Sequence, residues 1–192
     1  KIKEHEGQMT FIGGGEESYG YLAGDFVRDK DAVIACCLIA EMTAFYANQG
    51  KSLYQMLLEI YHEYGFYKED LLSLTKQGKS GAEEIAAMMV NYRNNPPKEI
   101  GGQKVVLMND IQASIAYHLD KGTQEPIALP KSNVLQFFTA DGSKITVRPS
   151  GTEPKIKFYF GVVGELPDVA RYDEANAALQ AKIKGIIEEM KL

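Results

Sequence analysis

With 192 residues, 45% of them hydrophobic and 24% charged, the chain can bury an ordinary core as one large domain or two small ones, which excludes a disordered or low-complexity polypeptide. Its formal charge of −5 is carried by the first half: residues 1 to 102 hold 15 acids against 10 bases, while residues 103 to 192 hold 11 of each. That balance excludes nucleic acid as the main partner, because phosphate-backbone binding needs a basic face.

The amino end, Lys1-Ile2-Lys3-Glu4-His5-Glu6, has charges with no apolar core after them, unlike a signal peptide, and reads as the end of a helix whose beginning is missing. Residues 9 to 12, Met-Thr-Phe-Ile, are expected to form a strand that ends in the glycine turn "GGGEESYGYLAGD" over 13 to 25. A helix follows over 31 to 49, starting at an Asp31 cap and stopping at Gly50. It is apolar almost all round (Val33, Ile34, Cys36, Cys37, Leu38, Ile39), which predicts burial. Its longest apolar run, residues 32 to 40, is too short to span a membrane, so no membrane partner is expected. Cys36 and Cys37 are adjacent and poorly placed to bridge each other, and read as small core residues of a reducing, cytoplasmic compartment. A second helix runs from a Ser52 cap to Tyr64, with Gly65 as its stop. A strand near 70 to 76 comes next, then a third helix opened by the capping-box pair Ser80 and Glu83 and running to Arg93. Strands alternating with helices predict an α/β layer.

Asn94-Asn95-Pro96-Pro97 breaks this pattern, and 96–102 is the expected hinge between a domain over 1–98, truncated at its amino end, and a second over 103–192. In the second domain, strands are expected over 104 to 108, 133 to 139, 144 to 148 and 156 to 163, with Asp141-Gly142 as a tight turn. A helix over 173 to 190 closes the chain, with Ala175, Leu179, Ile183, Ile186, Ile187 and Met190 on one face. This is a small α+β domain on an antiparallel sheet.

Two turns carry chemistry. In the first, Gly15 and Gly20 have P-loop spacing, but Tyr21-Leu22 stands where Lys-Ser/Thr would grip phosphate and metal, and no G-x-G-x-x-G is present. What remains is a backbone presenting Glu16, Glu17 and Ser18, and a carboxylate beside a hydroxyl matches the vicinal hydroxyls of a sugar. The same residues also suit a plain solvated turn. In the second, "VRPSGTEPKIKFYF" over 147 to 160, Arg148, Ser150, Gly151, Thr152, Lys155 and Lys157 surround one acid, Glu153. Arginine supplies a rigid fork, the hydroxyls add donors, and glycine lets backbone N–H groups approach an anion, so this is a phosphate-binding inventory. Strand alternation puts Lys155 and Lys157 on one face. Arg28 and Lys30, alternating with Asp25, Asp29 and Asp31, read by themselves as helix capping and solvated ion pairs. His5, His62 and His118 are scattered and read as surface or structural residues.

Residues 14 to 33, "GGEESYGYLAGDFVRDKDAV", and 148 to 160, "RPSGTEPKIKFYF", resemble the sugar-binding and phosphate-binding loops of the α-D-phosphohexomutases, in the phosphoglucomutase and phosphomannomutase branch. Their order and separation match that family's third and fourth domains, so the resemblance covers essentially the whole chain. It implies a partial mixed α/β third domain followed by a small antiparallel-sheet-plus-helices fourth domain. In such enzymes an active-site phosphoserine gives its phosphate to a hexose monophosphate, and the other phosphate of the resulting bisphosphate returns to the serine. The resemblance assigns Glu16, Ser18 and Gly15 to the sugar, and Arg148, Ser150, Gly151, Thr152 and Lys157 to the non-reacting phosphate. It brings Lys30, with Arg28 in support, to the reacting centre.

The family's Ser-His donor loop and its Asp-Gly-Asp-x-Asp-Arg magnesium loop are not found in this sequence, whose one Asp-Gly is Asp141-Gly142. The expectation is therefore a carboxy-terminal fragment that recognises hexose phosphate but does not turn it over. Mg2+ and a hexose 1,6-bisphosphate activator belong to the full-length enzyme with its amino-terminal domains, and only a phosphate or sulfate ion is expected on the fragment. A stand-alone sugar-phosphate or anion-binding module would explain the same loops. A phosphatase would lack its nucleophile.

Overall fold

The computed structural model of the chain describes residues 3–15 and 20–192. They divide into two compact units, Lys1–Glu59 and Ile60–Leu192.

In the first unit, β1 (Gly13–Gly15) and β2 (Tyr21–Ala23) form a short antiparallel ribbon, with Gly13 opposite Ala23 and Gly15 opposite Tyr21. The strand expected at 9 to 12 is instead made by the glycines themselves. They can lie this close because they lack side chains: a Cβ on Gly15 would come within 3.1 Å of the Tyr21 ring. Helix α1 (Ala32–Ala47) begins as expected, the Asp31 carboxylate accepting the Ile34 N–H at 2.8 Å, and Gly50 ends the segment at φ +72°. Its expected burial is corrected: only Ala35 is buried, Val33 and Phe45 are 76% and 60% exposed, and Cys36 and Cys37 are both exposed free thiols. A ribbon of three-residue strands is too small to cover a 16-residue helix that is apolar all round. Helix α2 (Leu53–Tyr64) starts where Ser52 Oγ accepts the Gln55 N–H and stops at Gly65, φ +100°.

The second unit is an eight-stranded antiparallel sheet with two helices. After β3 (Phe66–Thr75) and α3 (Gly78–Asn94) come β4 (Glu99–Ile100), β5 (Gln103–Asp110), β6 (Ile115–His118) and β7 (Thr123–Pro126). Then follow β8 (Leu135–Thr139), β9 (Lys144–Pro149), β10 (Lys155–Gly164) and α4 (Tyr172–Glu189). The order is β3-β10-β9-β8-β5-β6-β7, with β4 paired to β5. Alternation on β10 sorts its residues to two faces. Ile156, Phe158, Phe160 and Val162 are at most 1% exposed and pack with Ile85 and Met89 of α3 and Leu179, Ile183 and Ile186 of α4. Lys155, Lys157 and Tyr159 lie on the opposite face, away from α3 and α4. Each fully buried large apolar side chain contributes about 1.5–3 kcal/mol, so this one-sided core holds the unit together.

Three expectations are corrected here. The strand near 70 to 76 begins at Phe66 and pairs with β10 over ten residues, so β3 and α3 belong to the second unit and the break between units falls within α2. The expected 96–102 hinge lies inside the second unit, pinned where Gly101 N–H donates to Glu189 Oε2 at 2.7 Å beside a 1% exposed Ile100. Finally, α3 starts at Gly78 behind Gln77, so Ser80 and Glu83 sit inside the helix and form no capping box. A Cβ on Gly81 would lie 2.6 Å from the Lys76 carbonyl carbon, so this glycine lets the first turn of α3 close on the end of β3.

Candidate functional site

The turn between β9 and β10 is closed by Ser150 N–H donating to Lys155 O at 2.8 Å, and Ser150 Oγ then accepts the Thr152 and Glu153 N–H groups at 3.4 and 3.3 Å. Pro154 O accepts the Lys76 N–H at 2.9 Å, which ties the turn to the end of β3. Among the described residues the Gly151 N–H has no acceptor. A Cβ at Gly151 would meet nothing within 4 Å, so neither backbone conformation nor crowding by the protein calls for glycine there. The open space leaves its N–H accessible to close approach.

Register sets the charges. Arg148 on β9 stands directly opposite Lys157 on β10, both on the face away from α3 and α4. Like charges directly opposite destabilise a sheet. Among the described residues, neither cation has a carboxylate within 4.0 Å. The turn's own acid is taken elsewhere: Lys155 holds Glu153 at 2.9 Å, and that hydrogen bond keeps its carboxyl below the usual range, with a smaller pull from Lys157. On its α3 side the turn borders a cavity of about 470 Å3, lined by Gly78, Ala82 and Ile85 and by residues 150 to 154. Apolar Ala82 and Ile85 and the acid Glu153 make that flank the poorer one for an anion. The expected phosphate residues Arg148, Ser150, Gly151, Thr152 and Lys157 are thus gathered at one end of the sheet, with cations and open donors.

In the first unit, Glu16 and Ser18 lie outside the described residues, and Gly15 is held against Tyr21. Lys30 is brought to the end of the same loop. Tyr21 and Asp31 exchange N–H···O bonds of 3.4 and 3.1 Å, and Gly20 lies so close to the Lys30 stem that a Cβ there would come within 3.0 Å of its Cγ and Cδ. No sequence pattern signalled this bridge between residues ten apart. Arg28 is held by Glu6 at 2.6 Å. Two of the three histidines have structural partners: His62 Nδ1 lies 2.7 Å from Leu166 O, and His118 Nε2 3.3 Å from Glu125. Among the described residues no three His, Cys, Asp or Glu side chains converge to hold a metal ion. Nor is any helix among them long and apolar enough to cross a membrane.

Two family models match the chain: phosphoglucomutase/phosphomannomutase, alpha/beta/alpha domain III, over residues 1–64, and phosphoglucomutase/phosphomannomutase, C-terminal domain, over residues 84–179. A phosphoglucomutase of Staphylococcus haemolyticus is 41% identical over 161 residues, covering 84% of this chain and 29% of its own length. One from Staphylococcus aureus strain MRSA252 is 39% identical over 183 residues, covering 95% and 32%. The chain therefore spans about a third or less of the curated relatives it matches. Among solved structures, the exocytosis-sensitive phosphoprotein pp63/parafusin of Paramecium, a phosphoglucomutase in its open form, superposes with a TM-score of 0.52 at 16% identity, covering 91% of this chain and 30% of that one. That likeness is one of fold, and with the domain matches it gives the expected class: α/β third domain, then an antiparallel sheet with helices.

Proposed function

Because the chain belongs to the phosphoglucomutase/phosphomannomutase family, we propose that it is the substrate-recognition part of an enzyme that interconverts hexose 1-phosphate and hexose 6-phosphate. The observation that carries this reading is the uncompensated Arg148–Lys157 pair beside the open Gly151 N–H. A phosphate dianion there neutralises two like charges at once and takes the arginine fork, the ammonium, the backbone N–H and the Ser150 and Thr152 hydroxyls as donors. This turn holds the phosphate that is not being transferred. Glu16 and Ser18 accept and donate to sugar hydroxyls, with Gly15 giving backbone access.

Lys30, set at the end of the sugar loop by the Tyr21–Asp31 bridge, offers its ammonium to the charge that builds up on the phosphate in transfer, and Arg28 supports it. The phosphoserine, Mg2+ and the hexose 1,6-bisphosphate activator belong to the whole cytoplasmic enzyme and its amino-terminal domains. Positioning groups alone do not transfer a phosphate, so the chain by itself is inactive. Calorimetric titration should show glucose 6-phosphate and glucose 1-phosphate binding while glucose does not, with no interconversion even with magnesium and bisphosphate added. Equal binding of glucose, or genuine turnover, would refute the reading.

A further inference from the structure

We infer that the anion site does not end at the 148–152 turn but continues across the sheet face away from α3 and α4 onto β3, where Ser73 and Thr75 supply two further hydroxyl donors to the bound phosphate group. The inference rests on the phosphate reading of the turn and adds to it a second strand. The register places Lys157 directly opposite both Arg148 on one side and Ser73 on the other, so that Ser73, Lys157 and Arg148 form one row across three strands. Lys155 is opposite Thr75, and its carbonyl closes the turn at Ser150, which sets Thr75, Lys155 and Ser150 in the adjoining row.

Side chains directly opposite in an antiparallel pair have Cβ atoms about 4.5–5.5 Å apart, and alternate residues along a strand lie about 6.8 Å apart on the same face. Two adjacent rows of three therefore make a patch about the size of a phosphate group and its first hydrogen-bonding shell. Every side chain in the patch carries a donor, one guanidinium, two ammonium groups and three hydroxyls, the Lys155 ammonium being shared with the Glu153 carboxylate at 2.9 Å.

Chemistry and surroundings both select an anion for this patch. The neighbouring β3 positions Leu72 and Leu74 pack against the core, so alternation turns Ser73 and Thr75 to the opposite face. Both are exposed, and among the described residues neither hydroxyl has a hydrogen-bond partner. The acid of β3 on this face, Glu69, lies four residues from Ser73, about 13 Å along the strand. Asp70 faces the other way, accepting from Gln180 of α4. A dianion has more lone pairs than the turn alone can fill, and hydroxyls flanking two ammonium groups supply the remaining donors without adding charge.

The test is titration of the 192-residue chain, isotopically labelled, with inorganic phosphate, following amide resonances, in the parent, in Arg148→Ala, in the double variant Ser73→Ala/Thr75→Ala and in the hydroxyl-retaining swap Ser73→Thr/Thr75→Ser. The expected result is that resonances of 73, 75 and 150 to 152 titrate together, that the double alanine variant binds about tenfold more weakly at unchanged melting temperature, and that the swap restores affinity. If the 150 to 152 resonances titrate and the double alanine variant binds like the parent, the inference is overturned while the phosphate turn stands. If no resonance of the turn titrates in the parent, or Arg148→Ala binds like the parent, the phosphate reading itself fails and the extension fails with it.

Discussion

Gly151 separates a ligand role from a structural one more cleanly than any other residue of the turn. A methyl group there meets open space, so Gly151→Ala should leave the melting temperature within about 2 °C of the parent, as for other surface substitutions. Phosphate affinity should still fall severalfold, because the methyl occupies the approach to the Gly151 N–H. Thermal melting beside a phosphate titration checks both halves. At the far end of the β9 strand the opposite logic holds. Burial alone would raise the Asp141 carboxyl, but hydrogen bonds from Lys182, Thr139 and the Ser143 N–H outweigh it and hold the group at about 2. Lys182 also donates to Ser143 Oγ at 2.9 Å, so α4 is fastened to the β8–β9 turn. A carboxyl lowered from 3.8 in the unfolded chain adds stability that is complete above about pH 4 and is lost as pH falls through about 2. Allowing for its partial exposure, the contribution is about 1–2 kcal/mol. Lys182→Met should cost about that much at pH 7 and flatten most of the stability slope between pH 4 and 2, as denaturant melts across that range would show. The Asp141-Gly142 turn was legible from its dipeptide, with Gly142 at φ +84°; the Lys182 clamp, 41 residues away in sequence, was not.

The helices and strands differ in how much of their apolar surface the described chain covers. Ile183 of α4 is fully buried, and Ile183→Ala should cost about 2–5 kcal/mol. Ile39 of α1 is 48% exposed, and Ile39→Ala should cost under about 1 kcal/mol, a contrast that urea unfolding of the two variants resolves. Composition alone would have ranked them equal, since both are isoleucines in apolar helical patterns. What the sequence made readable were elements with strong local signals: α1 and α2 with their Asp31 and Ser52 caps and glycine stops, α4 with its single apolar face, and the alternating β8, β9 and β10. What it hid has physical causes. Residues 123 to 126 are all exposed and show no alternation, so β7 leaves no period to find, and the β1 glycines have low strand propensity of their own. The break between units falls inside the continuous helix α2, where no composition shift marks it. The Pro- and Gly-rich segment that looked like a linker is a turn locked to Glu189.

As a whole molecule the chain pairs a unit with little buried surface of its own with a unit built on an extensive core. Glu16 and Ser18 are assigned to a sugar by resemblance alone, whereas the donors gathered at the 148–157 turn are readable from residue types, because every one comes from one local stretch. The placement of Ser73 level with Lys157, and of Thr75 level with Lys155, is not, since it depends on the pairing of β3 with β10. The central claim is that this turn is an anion site in the isolated chain, needing nothing from other domains. The direct measurement is calorimetric titration with phosphate of the parent, of Arg148→Ala and of Lys191→Ala, the last a basic residue at the chain's end that serves as control for general charge. The parent should bind at millimolar phosphate, about 4 kcal/mol of affinity. Arg148→Ala should weaken binding by about 1.5–3 kcal/mol, the worth of a hydrogen bond to a charged group, and Lys191→Ala should bind as the parent does. Equal weakening by the two substitutions, or no binding by the parent at millimolar phosphate, would contradict the account.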